Sequence, residues 1–116
     1  YHGLDTYQGA SAAVEAFGGA NSTYAFAGIM PNSALLSNMF NATVIDILDY
    51  ANTNKYKTTR SLSGYDFNGA TTGYSYMGLY SGNWRSTSAV TSITLLGASN
   101  DFAQYSSFAL YGIKGS

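Results

Sequence analysis

Seven side chains in this sequence carry the usual groups of acid–base catalysis: Asp5, Glu15, Asp46, Asp49, Asp66, Asp101 and the single histidine, His2. Carboxylate-based hydrolysis needs two acids facing one bond of a substrate. Asp46 and Asp49 stand three apart in "VIDILDY", so on a strand they face opposite sides of the sheet. Asp49 and Asp66 are the two that a hairpin could bring together. The plainer reading gives Asp66 to a turn after Gly64-Tyr65, and Asp49 to a cross-strand ion pair with Lys57 or Arg60. His2 lies near the chain start with no cysteine anywhere in the chain, so neither a nucleophilic triad nor a zinc set of ordinary composition is available. "DYANTNKYKT" lacks the spacing of a calcium loop, and no phosphate-binding or nucleophile-elbow motif occurs. The expectation is a protein that is not an enzyme, with no catalytic residue, cofactor or metal.

Composition points the same way. The chain has 116 residues, enough for one domain and short for two. Only 9% of its residues are charged, against about 25% in an average soluble domain. Eleven Tyr and thirteen Gly, with many Ser, Thr and Asn, stand in their place. A net charge of −1 and five scattered cations offer nothing to a phosphate backbone, so no nucleic-acid partner is expected. No apolar run reaches the ~18 residues of a membrane span, and no membrane partner is expected. Weak charge repels neighbouring copies weakly.

The elements that would position these groups read as strands. Residues 1–23 read as irregular, with "SAAVEAF" as a short helical turn placing Val14 and Phe17 on one side. Six runs then carry strand patterns: 24–30, 42–50, 56–67, 73–80, 86–96 and 107–113. Gly64 reads as a bulge. Turns are expected at Asn68-Gly69 and at Ser81-Gly82-Asn83. Lys55 and Lys57 flank Tyr56 and keep the tip of the hairpin 42–67 charged. Short strands between Gly/Asn turns predict an all-β fold, a single antiparallel β-sandwich domain over 1–116, jelly-roll-like. Ile45, Ile47, Ile93, Leu95, Phe108 and Leu110 are the expected core. Six strands are fewer than a jelly roll has, and the chain starts at Tyr1, so further N-terminal strands are expected outside this sequence.

Aromatic residues are the candidates for contact. Trp84 and Arg85, with Tyr74, Tyr76 and Tyr80, read as filling the sandwich and the interfaces between subunits, where Tyr, Trp and Arg are enriched. A sugar-stacking platform is the other use for such rings, with Asn83 as a neighbouring polar group. Asn21-Ser22-Thr23 and Asn41-Ala42-Thr43 match the glycosylation sequon, which has meaning only in a eukaryotic secretory pathway.

"VIDILDYANTNKYKTTRSLSGYD" and "GLYSGNWRSTSAVTSITLLGASNDFAQYSSFALYGIKG" resemble virion structural proteins of tailed bacteriophages and prophages. The resemblance covers roughly residues 41–115, through the Asp-Tyr-Ala-Asn-Thr-Asn-Lys-Tyr-Lys-Thr hairpin, the Trp-x-Ser-Thr-Ser-Ala turn and the terminal Phe-Ala-Leu-Tyr-Gly-Ile-Lys. Before residue 41 it is looser, around Tyr1-His2. It implies a β-sandwich located on a virus particle, in the capsid surface or tail. The leading expectation is an outer capsid decoration or cement protein, a homotrimer bound to the major capsid protein. A tail or head fibre component is the alternative, as is a carbohydrate-binding module touching a host-surface glycan. The resemblance implies no catalytic residue.

Overall fold

The computed structural model describes residues 1–8, 11–32, 39–67, 75–98 and 101–113. The chain is all-β, and no helix occurs among the described residues. Five strands form one antiparallel sheet: β1 (His2–Gln8), β2 (Ala12–Gly18), β3 (Ala42–Leu48), β4 (Lys57–Tyr65) and β5 (Ser75–Trp84), in the order β2-β1-β5-β4-β3.

Three expected strands are present. β3, β4 and β5 fall within the runs at 42–50, 56–67 and 73–80, although β5 runs on to Trp84. The Ser81-Gly82-Asn83 turn does not form. These residues pair instead with Arg60, Thr59 and Thr58, so the strand continues through them. Gly64 is no bulge either. It sits in unbroken register between Ala42 and Met77, where its missing side chain leaves room for the Tyr76 carbonyl. The Asn68-Gly69 turn lies outside the described residues.

The largest departure is at the N-terminus. Residues 2–8 and 12–18 are not irregular: β1 and β2 form a hairpin, with Asp5 opposite Glu15 and Thr6 opposite Val14. "AAVEAF" is rich in helix formers, but two turns of helix without a partner are marginal in water. Pairing with β1 supplies backbone partners and wins, as tertiary context commonly does over propensity. Val14 and Phe17 consequently face opposite sides. β1 in turn pairs with β5 from His2↔Ser81 to Gln8↔Ser75 and joins the two hairpins.

The expected strands at 24–30, 86–96 and 107–113 do not form. Segment 19–32 runs instead across one side of the sheet. Phe26 packs edge-on to Phe17 and Tyr80, with centroids 5.3 and 5.1 Å away. Gly28 approaches so closely that a β-carbon there would collide with the Ser63 side chain. On this covered face lie Gly3, Asp5, Tyr80, Ser61 and Ser63, all buried. Tyr80 and Phe67 are the buried hydrophobic residues, Tyr80 at 2% exposure. The expected core is therefore corrected. Ile45, Ile93, Leu95, Phe108 and Leu110 are exposed and Ile47 is half-buried. Ile93, Leu95, Phe108 and Leu110 lie in segments that form no strand.

Candidate assembly surface

Side chains alternate across a strand, so the register fixes which residues share a face. Leu4 lies opposite Ala16 on β2 and Leu79 on β5; Leu79 lies opposite Leu62 on β4, and Leu62 opposite Val44 on β3. One apolar row thus crosses all five strands. Every member is exposed, Leu79 at 54%. The next row adds Val14, Met77 and Ala42, exposed as well. On the other side a polar row bounds the stripe: His2, Ser81, Arg60 and Asp46. Arg60 donates to the Asp46 carboxylate at 2.7 Å, so the two charges largely cancel at the rim. This open face is a contiguous apolar surface on a small protein, the kind that marks an interaction site.

The residues singled out from sequence fall elsewhere. Tyr80 is not a contact residue. Its parity puts it inward, between Phe17, Phe26 and Gly3, and its hydroxyl donates to Asp5 at 3.5 Å. Tyr76 is half-buried between Tyr65 and Tyr7, with ring centroids at 5.5 and 5.8 Å. Trp84 ends β5 opposite Lys57, 48% exposed, and Arg85 follows it in the open. Asn83 points to the face opposite Trp84. Tyr74 lies outside the described residues. Sequence reasoning missed Leu4 and Val14 because their strands were unread. It found the strands of Val44, Leu62 and Leu79, but alternation alone does not say which phase stays bare.

The acids are also rearranged. Asp49 follows β3 in a turn, with φ at +56°, and pairs with Lys55 at 3.4 Å, not with Lys57 or Arg60. Asp66 lies beyond the far end of β4, where it accepts from Ser75 at 3.0 Å. Asp49 and Asp66 are thus separated by the length of β4 and do not meet. Lys57 keeps no surface charge at the hairpin tip. It is buried, and its ammonium donates to the carbonyls of Asn52, Lys55 and Thr87.

Asp5 is the acid with a special environment. It is 4% exposed, and burial first, then the Glu15 charge, push its carboxyl above the ordinary value, against the Tyr80 hydrogen bond. Burial and the neighbouring Asp5 push the Tyr80 phenol up to about 12. A carboxyl enclosed beneath a tyrosine has no approach for a substrate. Among the described residues no three His, Asp or Glu gather as metal ligands, and no helix is long and apolar enough to cross a membrane.

Beyond Val90 the chain leaves the sheet. Val90 N–H donates to the Tyr50 carbonyl at 2.8 Å. Residues 91–98 then run on without strand partners. A turn closes at Ala103–Ser106, with Tyr105 at φ +73° and Phe102 edge-on to Phe108 at 4.8 Å. Residues 107–113 return, and a β-carbon at Gly112 would lie 3.9 Å from the Tyr50 hydroxyl. The result is an arm, both stems rooted near Tyr50, whose apolar side chains face water. Leu110 is 82% exposed, and Leu96, Tyr111 and Ile113 are similarly bare. The molecule is correspondingly elongated, 50 × 30 × 27 Å, with a radius of gyration of 15.8 Å where a compact chain of this length has about 13 Å.

Comparison with known proteins gives no relative: no family model, no curated protein and no solved structure matches this chain.

Proposed function

We propose that this chain is a structural module that works by assembly, a virion protein of a tailed bacteriophage that binds the outer shell as a decoration or cement protein. The observation that carries the reading is the open face. Leu4, Leu62, Leu79, Val14, Val44 and Met77 form one apolar surface backed by a rigid sheet. Removing such a surface from water is worth about 25 cal/mol per Å2. A protein that stabilises a shell needs that and little else: surface to bury, and no moving parts. The resemblance of residues 41–115 to phage structural proteins supplies the particle. In this reading the five-stranded sheet is one layer of a jelly-roll-like β-sandwich whose other layer comes with assembly. The assembled form is a homotrimer at three-fold sites, and Trp84 and Arg85, exposed at one end of β5, anchor it to the shell.

Particles assembled without this chain and then incubated with the purified protein provide the test. Stoichiometric binding, with raised resistance to heat or chelator, supports the reading, and a density map would place the chain on the shell. Particles of unchanged stability that carry no bound chain overturn it.

A second reading, glycan contact, is favoured by one observation. Tyr7, Tyr76 and Tyr65 form a cross-strand row beside an open hollow of about 760 Å3, with Asp66 and Ser75 at its edge. Partly exposed rings with nearby acceptors suit a sugar. Saturating binding to host-surface polysaccharide, lost in Tyr76→Ala, would favour this use.

A further inference from the structure

We infer that the open face is covered by the arm of a second copy of this chain, residues 91–98 and 101–113 laid across the row from Ala16 to Val44. The inference rests on reading the open face as an assembly surface, and it names the occupant.

Two features of one molecule lack partners, and they match. The open face is a stripe of Leu and Val on a sheet whose three inner strands are paired on both sides. The arm is the converse. Its sequence has the alternation of a buried strand, "TSITLL" and "FALYGI", yet the only backbone hydrogen bonds it makes among the described residues are the Val90 root and the Ser106 turn. Several of its apolar side chains, Leu96, Phe108, Leu110, Tyr111 and Ile113, are 61–84% exposed. A strand-patterned segment that its own fold leaves unpaired is a segment whose partner is another chain.

Dimensions agree. Fully extended, the eight residues 91–98 span about 26 Å, and five strands spaced ~4.8 Å apart make a sheet about 20–25 Å wide. An arm stem therefore reaches across the apolar row from edge to edge. The two stems, joined by the turn at Ala103–Ser106 and clasped by Phe102 and Phe108, can pair with each other and lie on the sheet as a second layer. Such a layer crosses the underlying strands steeply, one of the two recurrent ways sheets pack. Charge does not oppose it. The arm's described part holds one charged residue, Asp101, and the rim of the face carries the neutralised Arg60–Asp46 pair. Because donor and acceptor are different surfaces, copies either exchange arms reciprocally as a two-fold dimer or follow one another head-to-tail, as a ring where the rotation closes.

Mixing experiments test this in solution, with no particle present. Leu62→Lys/Leu79→Lys spoils the face but leaves the arm. Leu110→Lys/Ile113→Lys spoils the arm but leaves the face. All four residues are exposed, so both variants should keep the parent's circular dichroism spectrum. The parent should be oligomeric by light scattering at tens of micromolar, and each variant monomeric. Mixed together, the variants should form a one-to-one complex, since one donates an arm to the other's intact face. A monomeric parent, an arm variant that still self-associates, or a mixture that stays monomeric would each overturn the proposal. Cross-linking gives a second readout in an otherwise cysteine-free chain. Leu79→Cys mixed with Leu110→Cys should yield a disulfide-linked pair of chains. Equal pairing of Leu79→Cys with itself would point to two faces packed together and overturn the assignment. Failure here leaves particle binding to be judged by its own test.

Discussion

The Lys57 ammonium donates to the Thr87 carbonyl at 3.0 Å, across thirty residues of chain. It also donates to Asn52 O at 2.5 Å and Lys55 O at 2.8 Å, with the residue 1% exposed. One cation thus holds the β3–β4 turn and the start of the departing C-terminal segment together. Lys57→Met keeps the stem and removes the donors, leaving three inward carbonyls to find water. The expected cost is about 1–3 kcal/mol in urea unfolding. A change within ~0.5 kcal/mol, the range of ordinary surface substitutions, would mean that water replaces the ammonium freely.

Asp5 predicts a pH dependence. Its carboxyl titrates above its unfolded value of 3.8. Between 3.8 and that raised value the folded chain holds a proton that the unfolded chain has lost. Stability therefore falls as pH rises through this window and is recovered on acidification. Asp5→Asn removes the buried charge and keeps an acceptor for Tyr80. It should be more stable than the parent at neutral pH, with a flatter profile in denaturant unfolding between pH 3.8 and neutrality. A less stable variant at neutral pH would show that the ionised carboxylate is favourable.

Tyr80 acts at the other end of the scale. The unfolded phenol ionises near 10.0 and the folded one near about 12, so the folded state binds the extra proton in that interval. Stability should decline as pH rises from 10.0 towards 12. Tyr80→Phe should remove this part of the decline. The same alkaline slope in the variant would assign it to other tyrosines.

Two glycines on the covered face make room for that ring. A β-carbon at Gly3 would lie 2.5 Å from Phe17 and 2.9 Å from Tyr80, and one at Gly78 would collide with the Tyr80 hydroxyl. Gly3→Ala and Gly78→Ala should each cost about 1–3 kcal/mol through overpacking. Gly112→Ala, whose nearest neighbour is 3.9 Å away, should stay within ~0.5 kcal/mol. Equal effects at all three positions would contradict this packing.

The association proposed at the open face would be apolar. At 1 M salt the screening length is about 3 Å, which would weaken a charge-driven contact. The oligomer mass by light scattering should be unchanged or larger under those conditions. Dissociation would assign the contact to charged groups.

β3 was legible because "ATVIDIL" is a run of β-branched residues of strand length, and β4 and β5 because alternating stretches lie between turn residues. The same rule failed at 86–96 and 107–113. Alternation records that a segment suits a strand, not that a partner edge exists within the same chain. Ile93→Ala shows the difference: in a core it would cost 2–5 kcal/mol, but Ile93 is exposed and the isolated chain should lose well under ~1 kcal/mol. The N-terminal hairpin was hidden for the opposite reason. Ala12–Gly18 has little strand character of its own, and its structure comes from β1 beside it. The open face needed both hairpins in register before its row of side chains existed. Trp84 and Arg85 were legible as exposed polar-aromatic residues, whereas Tyr80 required knowledge of which face segment 19–32 covers.

The pairing of β1 with β5 joins the first strand of the chain to the last, with His2 beside Ser81. The two hairpins share no other strand contact. On a ribosome the β1–β2 hairpin emerges before the other three strands and waits with one edge unsatisfied until residue 84 is synthesised. The β3–β4 hairpin waits likewise. Closing so long a loop makes the final zippering slow compared with either hairpin. During that delay each half offers a free edge to its counterpart in another nascent chain, so crowding of ribosomes on one message should raise the yield of intertwined products.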